Sequence, residues 1–297
     1  MSTRHFMELL GTQHAKGNFV CVGLDSEFGR IPKSAHTRGH EVDVTIANTI
    51  VEFNRRIVEA THDIVCSYKP NIAFYEAHGA EGLAALHRTI TDIRNIAPDV
   101  PVILDAKRGD IGNTNNGYVQ MAFDYLNVDA ITVPPYLGGE SLQPFLARPE
   151  KGIIVLCRTS NLGAGEFQDL EVSAYWENTA HPMKLYEYIA LRVSNDWNEN
   201  GNCGLVVGAT YPEELASVRR IVGDMPILIP GIGAQGGDLE KTVQAGKNTR
   251  SQGMIINSSR GIIFASNGPD FAEAARRETL KLHEAITQCL SSPVIDV

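Results

Sequence analysis

The stretch VILDAKRGDIGNT, Val102 to Thr114, starts as an apolar strand and then places Asp105, Lys107, Arg108 and Asp110 within six positions. Side chains alternate along a strand, so Ile103, Asp105 and Lys107 are expected on one face, with Leu104 and Ala106 on the other. An aspartate and a lysine on an inward face are costly unless they are paired. The pattern suits a functional site at the strand's mouth, and equally a structural ion pair at a rim.

Seven further runs share the apolar character of this one: NFVCVGLD (18–25), DIVCSYKPN (63–71), DAITVPPY (129–136), GIIVLCRTS (152–160), CGLVVGAT (203–210), MPILIPGIG (225–233) and GMIINSSR (253–260). They are nearly continuous in apolar residues, as strands covered on both faces should be. Segments with helical periodicity lie between them, for example 42–60, 82–96 and 212–222. Eight such alternations predict a (β/α)8 TIM barrel of the α/β class. No Pro/Gly/Ser linker, compositional break or low-complexity segment divides the chain, so 1–297 is expected to form one barrel domain with an N-terminal helix. Two connections are long, 26–41 after the first run and 161–182 after the fifth. Both follow the C-terminal ends of strands, where barrel enzymes carry their sites. The second is expected to act as a lid; the first fits a plain surface insertion as well.

A net charge of -9 and a pI near 5.5 argue against a nucleic-acid or anionic-membrane surface, so an anionic ligand must be held by a local site. No apolar run approaches the roughly 18 residues of a membrane span, and the first residues lack the continuous apolar segment of a signal peptide. A cytoplasmic location is expected. The five cysteines have no CxxC spacing, and Cys21, Cys66, Cys157 and Cys203 fall in or beside apolar runs, as buried free thiols would. The nine histidines are scattered, without HExxH, and are expected to be solvated or capping, with no metal site.

Polar groups close the other runs as well: Asp25 the first, Lys69 the second, Ser160 the fifth, PGIGAQGGD (230–238) the seventh and NSSRG (257–261) the eighth. With these on one face, Asp105-x-Lys107-x-x-Asp110-Ile111-Gly112-x-Thr114 resembles the signature of the orotidine 5'-phosphate decarboxylase family. The supporting matches span nearly the whole barrel in order, and the Ser-Tyr-Lys-Pro-Asn and Asn-Ser-Ser-Arg-Gly runs are similar to the longer, second type of that family. One position departs from the pattern: Leu162 stands where the family's loop carries proline.

The resemblance implies decarboxylation of orotidine 5'-phosphate to uridine 5'-phosphate in de novo pyrimidine biosynthesis, without cofactor or metal. It implies that Lys69, Asp105 and Lys107 of one subunit form a charged array completed by Asp110 of a neighbour, in a homodimer, with Lys107 delivering the proton to C6. Asp25 would bind the ribose, Thr114 would reach across the dimer, Ser160 would bond the pyrimidine amide edge, and Gln235 and Arg260 would hold the phosphate. Ile111, Pro230 and Ser259 would complete the substrate-binding set.

Gly231-x-Gly233-x-x-Gly236 satisfies a dinucleotide fingerprint, but it falls late in the chain, where a barrel more often binds phosphate through backbone N–H groups and a helix N-terminus. A nicotinamide cofactor is therefore not expected. Phe167, Tyr175 and Trp176 fit either covers for the base or packing contacts of the long loop, with packing favoured. Two rival readings remain. Sugar-phosphate lyases of the same superfamily share DxKxxD but carry an acid, to help bind magnesium, where this chain has Lys69. A barrel that only binds nucleotide or sugar phosphate would show a broken array, and the array here is unbroken.

Overall fold

The computed structural model describes residues 4–37, 42–176, 179–233 and 236–291. Its strands are β1 (Val20–Leu24), β2 (Ser67–Pro70), β3 (Ile103–Leu104), β4 (Ala130–Val133), β5 (Gly152–Arg158), β6 (Glu171–Trp176), β7 (Thr179–Lys184), β8 (Cys203–Val207), β9 (Ile227–Pro230) and β10 (Met254–Ser258). Eight of them form one parallel sheet in the order β2-β1-β10-β9-β8-β5-β4-β3. The ends of that order meet through two isolated bridges, Tyr68–Val102 and Asn71–Asp105, so the sheet closes into a TIM barrel. This last joint is thin for a chemical reason: Pro70 and Pro101 have no N–H to give to a ladder. What remains includes Tyr68 N to Pro101 O at 3.1 Å and Asp105 N to Pro70 O at 3.0 Å.

Two apolar layers hold the barrel. Outward residues of the strands pack on the surrounding helices, chiefly α2 (Val42–Thr61), α4 (Gly79–Ile96), α9 (Pro212–Val222) and α12 (Phe271–Ser291). The inward layer joins Cys21, Ile103, Ile154, Leu228 and Ile255 to Phe6 and Leu10 of α1 (Phe6–Ala15), which closes the bottom of the barrel. Phe6 sits where a Cβ on Gly152 would be, its nearest ring atom 2.3 Å from that point, so only glycine lets the plug enter. Burying each such side chain stabilises by about 1.5–3 kcal/mol. Arg4 anchors the same end through Nε and Nη2, both 2.9 Å from the carboxylate of the buried Asp129.

Cys21, Cys66, Cys157 and Cys203 are buried free thiols, as expected. His14 is not solvated: it is 6% exposed at the barrel bottom, with Nε2 2.9 Å from Met254 O. Histidine's polarity concealed a core position that one carbonyl satisfies.

The connection after β5 is more ordered than a plain loop. It forms a 3-10 turn (Leu162–Ala164), the short helix α7 (Gly165–Gln168) and the antiparallel hairpin β6–β7, from Glu171 opposite Lys184 to Trp176 opposite Thr179. The connection after β1 holds two 3-10 turns, Phe28–Arg30 and Lys33–Ala35. Among the described residues no helix is long and apolar enough to cross a membrane.

Candidate active site

The C-terminal ends of the strands surround a cleft of about 290 Å³. Of the residues expected there, Asp25, Lys69, Asp105, Lys107, Ser160, Pro230, Ser259 and Arg260 line it. Asp110, Ile111 and Thr114 do not: they sit just beyond, where the chain enters α5 (Gly112–Val119), and Ile111 is 65% exposed. Asp110 is turned to local bonds there, its Oδ1 accepting from Ile111 N at 2.6 Å and its own N donating to Asn115 Oδ1 at 2.9 Å. Gln235 lies outside the described residues.

Asp105 is the hub. Its Oδ2 accepts from Lys69 Nζ at 2.9 Å and its Oδ1 from Lys107 Nζ at 2.6 Å, while Lys69 Nζ lies 3.9 Å from Asp25 Oδ1. Lys69 is buried, and burial opposes its charge, but Asp105 and Asp25 outweigh that and raise its pKa above the ordinary lysine value. Burial likewise opposes the charge of Asp105, and Lys69 and Lys107 overcome it, holding the carboxyl well below the usual carboxylate range. Asp25 Oδ1 is buried, with the Lys69 ammonium 3.9 Å away and no hydrogen-bond donor among the described residues.

Strand alternation accounts for Asp105 but not for Lys107. The strand stops at Leu104, and Lys107 adopts φ +48°, a left-handed conformation that costs a non-glycine residue roughly 1–3 kcal/mol. The turn, not a continued strand, brings Nζ back to Asp105. Thr132 on β4 braces it, accepting from the N–H groups of Ala106 and Lys107 and donating to Asp105 Oδ1. Arg108 leaves the cleft and pairs with Glu76 of α3 (Ala73–Glu76).

At the far side, Gly231 and Gly233 take positive φ beside Ile232, Ser259 and the exposed Arg260, which has no ion pair among the described residues. The next helix, α10 (Leu239–Gly246), does not present a free N-terminus, because Asp238 caps it by accepting from Lys241 N at 3.1 Å. The glycine turn and the positively charged Arg260 thus border this side of the cleft. Phe167 does not reach the cleft: it is 60% exposed and faces an apolar groove beside α8 (Leu185–Arg192). The side chains of Tyr175 and Trp176 lie outside the described residues.

Asn71, Thr132, Thr159, Asn161 and Asn257 also line the cleft, and the sequence reading assigned none of them a role of its own. A signal existed for two of them. Thr132 is the polar residue on the inward face of an otherwise apolar strand, and Asn71 stands two places after Lys69, on the same face.

A family model described as orotidine 5'-phosphate decarboxylase / HUMPS family matches residues 19–277. Curated proteins named orotidine 5'-phosphate decarboxylase from Azoarcus sp. (strain BH72) and Ralstonia pickettii (strain 12J) are 49% and 48% identical to this chain, each alignment covering 95% of it and 98% of the relative. The solved structure of Leishmania donovani OMP decarboxylase matches with TM-score 0.79 and 39% identity, over 97% of this chain and 100% of that one. Leishmania donovani UMP synthase matches with TM-score 0.81 and 41% identity, over 97% of this chain and 56% of that longer one.

Proposed function

Since the chain belongs to the orotidine 5'-phosphate decarboxylase / HUMPS family and is a carboxy-lyase of pyrimidine biosynthesis, we propose that it converts orotidine 5'-phosphate to uridine 5'-phosphate without metal or organic cofactor, using Lys107 as the proton donor to C6. The observation that carries this reading is the position of Asp105 between two lysines, 2.9 Å from Lys69 and 2.6 Å from Lys107, on the wall of the cleft. Losing CO2 from C6 leaves an sp2 carbanion with no conjugated sink. Enzymes commonly lower barriers by ~8–23 kcal/mol. Asp105 beside the substrate carboxylate raises the ground state, but two charges about 4 Å apart at an effective dielectric near 20 repel by only ~4 kcal/mol. Attraction of the developing charge by a fixed ammonium supplies the other side of the balance, and the same group then delivers the proton. Lys107 suits that role because its side chain, 49% exposed, reaches the open cleft, whereas Lys69 is held at its base.

In this reading Asp25 binds the ribose, Ser160 the amide edge of the base, and Gln235, Arg260 and the loop from Pro230 the phosphate, with Ser259 beside them. Asp110, Ile111 and Thr114 serve the site of a partner subunit in a homodimer; the exposure of Ile111 and Thr114, with the half-buried Asp110, outside their own cleft supports this. The enzyme works in the cytoplasm. Lys69 favours the metal-free chemistry over that of the magnesium-using relatives, since an ammonium stands where they carry an acid.

The test is to add orotidine 5'-phosphate to exhaustively chelated protein and follow the ultraviolet absorbance of the orotate ring. Release of CO2 and uridine 5'-phosphate is expected. Activity that vanishes on chelation and returns with magnesium would overturn the role of Lys69, and no activity under either condition would overturn the substrate.

A further inference from the structure

Thr132 occupies the inward face of β4, 1% exposed, directly beside the charged array. A threonine hydroxyl has one proton to give and two lone pairs to receive. Here all three are engaged: Oγ1 accepts from Ala106 N at 3.1 Å and from Lys107 N at 3.0 Å, and it donates to Asp105 Oδ1 at 3.0 Å. The backbone of the same residue adds a fourth bond, its O accepting from Arg108 N at 3.2 Å. One residue therefore grips three successive amides, 106 to 108, across the left-handed turn at Lys107, and also the carboxylate oxygen that receives the Lys107 ammonium.

We infer that Thr132 is a positioning residue for the decarboxylation: its hydroxyl holds the Lys107 turn and Oδ1 of Asp105 in one register, so that the ammonium is aimed before substrate arrives. The inference rests on the function proposed above. Valine has nearly the same shape but none of the three bonds, so Thr132→Val leaves the buried Ala106 amide and the partly buried Lys107 amide without an acceptor and Asp105 Oδ1 without one donor. The turn is then free to relax, and a misplacement of about 1 Å at a reacting group costs on the order of 100-fold in rate. Thr132→Ser keeps the hydroxyl.

The experiment measures kcat and KM for orotidine 5'-phosphate, with the dissociation constant of uridine 5'-phosphate by calorimetry, in wild type and both variants. Thr132→Val is expected to lose about 100-fold in kcat while product affinity stays within about threefold, and Thr132→Ser to recover kcat to within about fivefold of wild type. A Val variant with wild-type kcat overturns the inference, and so does a parallel loss of kcat and product binding that Ser fails to rescue. Should the Val variant not fold, Thr132→Ala carries the test, since a methyl group can neither donate nor accept; wild-type kcat in that variant would likewise overturn it. A wild-type protein inert toward orotidine 5'-phosphate would sink the proposed function, whereas an active wild type equalled by its Val variant sinks the role of Thr132 alone.

Discussion

Acid should weaken this protein through one histidine far from the chemistry. His14 lies in α1 at the bottom of the barrel, and burial lowers its pKa from 6.5 to about 4, against the bond to Met254 O and helped by Arg250. The folded-state value lies below the unfolded one, so the unfolded chain takes up the proton first. The contribution is complete above pH 6.5, falls as pH drops through 6.5, and levels off below about pH 4. At pH 5 the two values give a loss of about 2 kcal/mol from this group, on the order of a 30-fold change in the unfolding constant. His14→Gln keeps a donor for Met254 O and cannot titrate. Urea unfolding of both proteins at pH 7.5 and pH 5, at one protein concentration, isolates the histidine from every carboxylate that titrates in common. The wild type should lose about 2 kcal/mol more than the variant between the two pH values. Equal losses would refute the account and mean that His14 finds another way to carry its charge in the fold.

Three further outcomes are expected. Mixing Lys107→Ala with Asp110→Ala under subunit exchange should restore about a quarter of wild-type activity, since random pairing makes half the dimers mixed and leaves one intact site in each; confirmed exchange without activity would place Asp110 in its own subunit's service. Tyr75→Phe removes a hydroxyl that donates to Leu24 O at 3.1 Å and accepts from Asn54 Nδ2 at 3.0 Å, inside a buried network that also holds Ser26 beside Asp25. It should cost about 1–3 kcal/mol in urea unfolding and raise KM, and an unchanged KM would separate the network from the ribose contact proposed for Asp25. Gly23→Ala would put a Cβ 1.8 Å from Ser259 Oγ, so Ser259 must move; kcat/KM should fall by about tenfold or more with little change in the circular dichroism spectrum, and full activity would show that Ser259 is dispensable.

The barrel was legible because parallel strands covered on both faces leave nearly unbroken apolar runs, and each run marks its end with a polar residue at the C-terminal face. Asp25, Lys69, Asp105 and Ser160 could be placed in this way. Lys107 reached its expected neighbour by an unexpected path, since nothing in a Lys-Arg dipeptide announces a left-handed turn. Thr132 escaped notice because threonine is an ordinary strand former, so its hydroxyl drew no attention between Ile131 and Val133. The hairpin β6–β7 was hidden by its mixed composition: Ala174 is buried while Glu171 and Ser173 face solvent, an alternation too short to compete with the barrel strands. His14 and the capped end of α10 show a different limit, since burial and capping depend on what tertiary packing brings near.

The thin joint between β2 and β3 gives the charged array a second task. Lys69 stands on one side of that joint and Asp105 on the other, so their 2.9 Å bond works as a clasp where prolines have thinned the backbone's own fastening. The groups to which the proposed function assigns the chemistry also help to keep the barrel shut. Neutralising either one to a residue of similar size should let the joint breathe, and the amides of Tyr68, Ile72 and Asp105, which donate across it, should exchange with deuterium sooner than those elsewhere in the barrel. In a descendant of this chain, loss of Lys69 or Asp105 would loosen that joint unless another bond replaced the clasp.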